Sequence, residues 1–129
     1  MDYYISTNLP QQDFDSVIDK VTEELKKYGF GILTTIDVQQ TFSEKIGVDF
    51  RKYKILGACN PHFAHKALVN EDKIGVLLPC NVVVQQHDNG TVEVAAMNPR
   101  EAMSVVENQA LEGIANEVEQ IMHKVIEAL

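Results

Sequence analysis

The stretch "KIGVLLPCNVVVQQHDNGTVEVAAM" (73–97) constrains the fold more than any other part of the chain. Its first half is almost continuously apolar, which suits a central strand buried on both sides. Asn89-Gly90 then gives a two-residue hairpin signal, because both turn positions favour positive φ. "TVEVAAM" (91–97) follows as a second strand, antiparallel to the end of the first. Pro79 interrupts the pattern. It has no amide hydrogen to give to a ladder, so it marks an edge, a bulge or a bend within the strand expected over 73–86.

Around this hairpin the periodicity alternates between strand and helix. "DYYISTN" (2–8) reads as a strand. Phe14, Val17, Ile18, Val21, Leu25 and Tyr28 then share one face of a 3.6-residue period, predicting a helix over 14–28. Asp13 is its expected N-cap, and Gly29 suits the left-handed position beyond its last turn. "FGILTTID" (30–37) is a strand. A short helix carrying Val38, Phe42 and Ile46 on one face follows it and stops at Gly47.

"YKILGAC" (53–59) is the next strand. Asn60 and Pro61 are then placed as cap and first residue of a helix reaching about Val69, with Phe63, Ala64, Ala67 and Leu68 inward. In "NPRE" (98–101), Asn98 caps, Pro99 leads, and Glu101 is placed to reach back as in a capping box. Leu111, Ile114, Val118, Ile121, Met122, Val125 and Leu129 form the stripe of a last helix, whose other faces carry glutamates and Lys124.

The resulting order is β-α-β-(α)-β-α-β-β-α over a single domain, residues 1–129. It predicts an α+β fold: a largely antiparallel sheet of about five strands, short extra helices, and two long helices packed on one face. A chain of 129 residues with 45% hydrophobic content can bury one proper core without staples.

A formal net charge of −8 repels phosphate backbones and anionic lipid, so neither nucleic acid nor membrane is an expected partner. No apolar run approaches the roughly 20 residues of a membrane span. The first residues lack the basic start and apolar core of an export signal, and two cysteines make no disulfide framework. A cytoplasmic location with free thiols is the expectation. The middle of the chain is locally basic, with Lys45, Arg51, Lys52, Lys54, Lys66 and Lys73 against Asp49, Glu71 and Asp72. That suits either a small anionic ligand or ordinary solvated lysines. No glycine-rich phosphate loop or nucleophile elbow is present, and the tyrosines lack the basic neighbours of a nucleic-acid platform.

Both cysteines precede asparagine, at Cys59-Asn60 and Cys80-Asn81. Together, "YKILGACNPHFAHKAL", "IGVLLPCNVVV", "DVQQTFSEKIGVDF" and "YGFGILTTID" resemble the domain of unknown function 302 family over roughly residues 2–128. The resemblance implies a fold similar to the TATA-binding-protein-like class, β-α-β4-α, and a homodimer. It implies no biochemical activity. A shared fold class does not carry DNA binding with it.

The family pattern maps onto Cys59, Asn60, Pro61, His65, Cys80 and Asn81, the candidate ligand-binding residues. Three readings of them compete. In the first, the cysteines are small buried hydrophobes, Asn60 is a cap, and Asn81 repairs the hydrogen-bond gap left by Pro79. In the second, the "ACNP" and "LPCN" corners line a small-ligand pocket, with the two asparagines and free helix amides as polar anchors. In the third, Cys59, Cys80 and His65 form a cysteine-dependent redox site or a metal site, although neither cysteine belongs to a CxxC. A helix N-terminus beside Cys59 would favour its thiolate. The expectation is a homodimeric binding or regulatory module rather than an enzyme, with no cofactor; the cysteine-dependent or metal-handling protein is the alternative.

Overall fold

The computed structural model describes residues 2–129. Its elements run β1 (Tyr4–Leu9), α1 (Phe14–Lys26), β2 (Gly31–Asp37), α2 (Val38–Ile46), β3 (Tyr53–Cys59) and α3 (Pro61–Asn70), then β4 (Cys80–Gln86), β5 (Val92–Met97), α4 (Pro99–Ala102) and α5 (Glu112–Glu127). Short 3₁₀ turns lie at Ile74–Leu77 and Gln109–Leu111. The sheet is antiparallel throughout, in the order β1-β5-β4-β3-β2. The α+β expectation therefore holds, and the 82–86 segment lies at the centre of the sheet.

Local chemistry sets most of the boundaries. The Asp13 carboxylate accepts from the Ser16 amide at 3.0 Å and starts α1. At its end, Gly29 takes φ +81° and the Phe30 amide donates back to the Leu25 carbonyl. Asp37 caps α2, and Gly47 closes it at φ +62°. Asn60 and Asn98 cap α3 and α4, each followed by proline as the sequence predicts. The capping box at Glu101 does not form, because the Asn98 amide it would satisfy already donates to the Tyr3 carbonyl.

Two further expectations are corrected. The strand predicted over 73–86 begins only at Cys80. Residues 74–77 wind into a 3₁₀ turn that buries Ile74, and the chain bends at a cis Leu78-Pro79 bond before joining the sheet. The β4–β5 connection is also longer than two residues. The Gly90 amide donates to the His87 carbonyl, and only Gly90 has positive φ, so the loop is an ordinary turn followed by a left-handed glycine.

α1 and α5 pack on one face of the sheet. Val17, Val21 and Leu25 from α1 and Val118, Met122 and Val125 from α5 meet Leu56, Ala58, Val82, Val84, Val92 and Val94. Full burial of each Val or Leu stabilises by about 1.5–3 kcal/mol, so this layer dominates the stability. On the other face, Ile36, Ile55, Val83 and Ala95 form one row across four strands and are half-buried or exposed. Beside that row runs a polar chain: Arg51 Nε donates to Gln85, Gln85 to Glu93, and His87 Nε2 lies 2.9 Å from Glu93. A second, smaller apolar cluster of Ala67, Ile74 and Leu111, with Leu78, Met103 and Ile114 packed against it, lies off the end of the sheet.

Candidate functional site

The two cysteine–asparagine corners meet because β3 and β4 are antiparallel neighbours. The C-terminal end of one lies beside the N-terminal end of the other, and Ala58 sits directly opposite Cys80. β2 starts and β5 finishes at this same end, where α3, the 3₁₀ turn at 74–77 and α4 all attach. Between the main core and the smaller cluster they leave a cavity of about 350 Å³. Ala58, Cys59, Asn60, Pro79 and Cys80 line it from the two corners. Phe30, Phe63, Ala67, Met103, Leu111, Ala115 and Val118 are among the other residues around it, and the lining is almost wholly apolar. The Phe30 and Phe63 rings lie 6.4 Å apart and 27° from parallel.

The predicted site residues divide. Cys59, Asn60 and Cys80 come together at the cavity wall. Pro61 begins α3 just outside it, and His65 is exposed on the outer side of that helix, as is His62. Asn81 pairs with Gly57 and stands exposed on the far face of the sheet.

The polar anchors expected there are already engaged. Asn60 is buried, its Nδ2 donates to the Tyr28 carbonyl at 3.0 Å, and its Oδ1 accepts from the amides of His62 and Phe63. The Ala64 amide donates to the Asn60 carbonyl. With proline at the first position, the first-turn amides of His62 and Phe63 are thus both taken by the cap rather than held open for an anion or a thiolate.

Burial pushes the Cys80 thiol up to about 11, and the nearby Cys59 adds to the effect, so Cys80 is protonated at neutral pH. Both cysteines are free. Among the described residues no three His, Cys, Asp or Glu side chains gather in a geometry that could hold a metal ion, so the set Cys59, Cys80 and His65 is not assembled. None of the six basic residues of the middle segment lines the cavity.

Several lining residues had only partial signals in the sequence. Phe63, Ala67, Leu111 and Val118 read as inward positions of helices, but periodicity cannot tell a filled interior from a hollow one. Gly57 is more informative, since a glycine inside a strand pattern signals close approach. A Cβ there would fall inside van der Waals contact of Thr34 Oγ1 and 2.8 Å from Pro79 Cγ. The missing side chain lets β2 and the Pro79 bend close over β3 beside the cavity. A second hollow, of about 590 Å³, is lined by Arg100, Glu107, Asn108 and Asn116 and shares Met103, Leu111 and Ala115 with the first.

No curated protein matches the chain. An uncharacterised conserved protein from Bacillus stearothermophilus, described by its crystal structure as DUF302, is similar at 27% identity and a TM-score of 0.90, with 98% of each chain covered. The family model described as "Domain of unknown function DUF302" matches residues 5–129. With the five-stranded antiparallel sheet in place, the chain belongs to the DUF302 family.

Proposed function

We propose that this protein is a binding module, acting as a homodimer, that holds a small molecule in the cavity at the β3–α3 and β4 corners and does no bond-making chemistry on it. The observation that carries this reading is the hollow between two otherwise well-packed apolar clusters. A gap of that size forfeits packing contacts, which an occupant would restore. The cysteine-dependent alternative has less support: the Cys80 thiol holds its proton, and His65 lies on the outer side of α3. The uncovered row of Ile36, Ile55, Val83 and Ala95 favours self-association, which sedimentation velocity tests; a monomer at high concentration removes that part of the reading.

The test of the pocket is to fill it. Ala115 and Ala64 both line the cavity, and Ala115→Leu and Ala64→Leu place extra methyl groups inside. The expected result is a small molecule retained through gentle purification, identified by mass spectrometry after denaturation, and lost from the filled variants while they stay folded. Retention unchanged in both variants, or no retention and no thermal stabilisation by any member of a metabolite library, overturns the reading.

A further inference from the structure

We propose that the occupant of this cavity is an uncharged, largely apolar molecule of about fourteen heavy atoms or fewer, admitted between the β2 bulge and α3. The inference rests on the binding reading above and fixes the chemical class of the ligand. It runs against the basic composition of the middle segment, which by itself suits an anion.

Size comes from the cavity. An apolar cavity of about 150 Å³ lined by Leu, Ile and Phe holds benzene, so one of about 350 Å³ holds roughly fourteen heavy atoms at the same filling. Polarity comes from the lining. A charged group taken from water into this wall would need a fixed partner, and none is offered. The lysines and arginine of residues 45–73 are not among the lining residues. The Asn60 oxygen already accepts two amides, and its amide nitrogen already donates to Tyr28. Cys80 presents a protonated thiol and Cys59 a second sulfur, both polarizable, beside the near-parallel rings of Phe30 and Phe63. Such a wall suits aromatic or aliphatic carbon and offers weak hydrogen bonds at most. The hydroxyl of Thr34, an exposed residue, is the stronger polar group at the rim.

The entrance is apolar too. The register of β2 against β3 slips between Ile32 and Thr34, so Leu33 is the extra residue of a bulge. Leu33 lines the cavity yet is 68% exposed, and Leu68 on α3 lines it at 42% exposure. Gly75 also lines the cavity and is exposed beside Leu68, and a Cβ there would come only within 3.9 Å of that leucine. Two large exposed apolar side chains and a bare glycine around an apolar opening form a passage for an apolar solute.

Three probes on one ring system separate the outcomes: neutral 1-naphthol, anionic 1-naphthoate and cationic 1-naphthylmethylamine, at pH 7. The readouts are melting temperature and the rate of Cys59 alkylation by iodoacetamide. 1-Naphthol is expected to raise the melting temperature, to slow alkylation, and to bind at least tenfold tighter than either charged probe. Both effects should vanish in Ala115→Leu or, if that variant fails to fold, in Ala64→Leu. Naphthoate or the amine binding as tightly as naphthol overturns this inference and leaves the binding reading standing. Naphthol binding unchanged in the folded filled variants puts the probe elsewhere and overturns the inference. No effect from any probe overturns this inference, and the binding reading is then decided by the retention and library measurements described above.

Discussion

The Asn60 side chain ties the start of α3 to the end of α1: its amide nitrogen donates to the carbonyl of Tyr28, 32 residues earlier, while its oxygen caps its own helix. Gly29 makes the contact reachable. It takes φ +81°, and a Cβ there would lie 3.0 Å from Asn60 Nδ2. One buried carboxamide therefore fixes the corner from which Phe30, Cys59 and Phe63 enter the cavity wall.

Replacing Asn60 with Ala removes the cap and leaves the Tyr28 carbonyl without its partner. The cap alone is worth about 1 kcal/mol, and a stranded part-buried acceptor adds a further ~1 kcal/mol or more. Asn60→Ala should cost about 2–3 kcal/mol in urea denaturation. Asn60→Ser restores the cap only and should recover about 1 kcal/mol of it. Equal stability of the serine and alanine variants would contradict the capping role.

Gly57→Ala should destabilise by about 1–3 kcal/mol, because the new methyl meets Thr34 Oγ1 and the Pro79 ring, and overpacking of this kind forces local shifts. The hydroxyl can rotate away, but the ring cannot follow it freely. A bulkier Gly57→Val should be worse, and Thr34→Ala should relieve part of the cost of Gly57→Ala in a double-mutant cycle. Strict additivity of the two changes would show that Thr34 is not the clashing group.

The buried Cys80 thiol holds its proton more tightly in the folded chain than a free thiol near 9.0 does, up to about 11. Between those values the folded state binds more protons than the unfolded state. Its contribution is therefore complete below pH 9 and is lost as pH rises through about 11. The loss is on the order of 2–3 kcal/mol. Other groups titrate in this range, so the measurement is the difference in stability between wild type and Cys80→Ala from pH 8 to 11. A difference that stays constant with pH would overturn the assignment.

The two thiols should also differ in access. Cys59 is half-exposed at the cavity and Cys80 is buried. Iodoacetamide at pH 8 should label Cys59 in the native protein and Cys80 only after unfolding, as read by peptide mass spectrometry. Labelling of both at equal rates in the native state would mean that the cavity wall opens on the timescale of the reaction.

Much of the fold could be read from residues whose information is local. Asp13, Asn60 with Pro61, and Asn98 with Pro99 set helix starts through bonds to amides two or three positions away. Gly29 and Gly47 set helix ends through their own φ. The stripes on α1 and α5 named the buried faces, since helical period and burial are the same geometry. Where the sequence misled, a distant partner intervened. Glu101 lost its capping role to the carbonyl of Tyr3, and the apolar run 73–79 left the sheet because α3 and the 109–111 turn offered Ile74 another interior.

The cavity belongs to the second kind of information. Two Cys-Asn steps could be found in the sequence, but alternation along β4 sends Cys80 and Asn81 to opposite faces once the strand start is fixed. That start depends on the bend at Pro79, which apolar periodicity does not locate. Residue types and their spacing determined the elements, their caps and the sheet they could build. The tertiary structure alone decided that two apolar clusters, joined through Ile114, would leave a hollow beside that contact, because a hollow is a property of surfaces brought together and no single segment carries it.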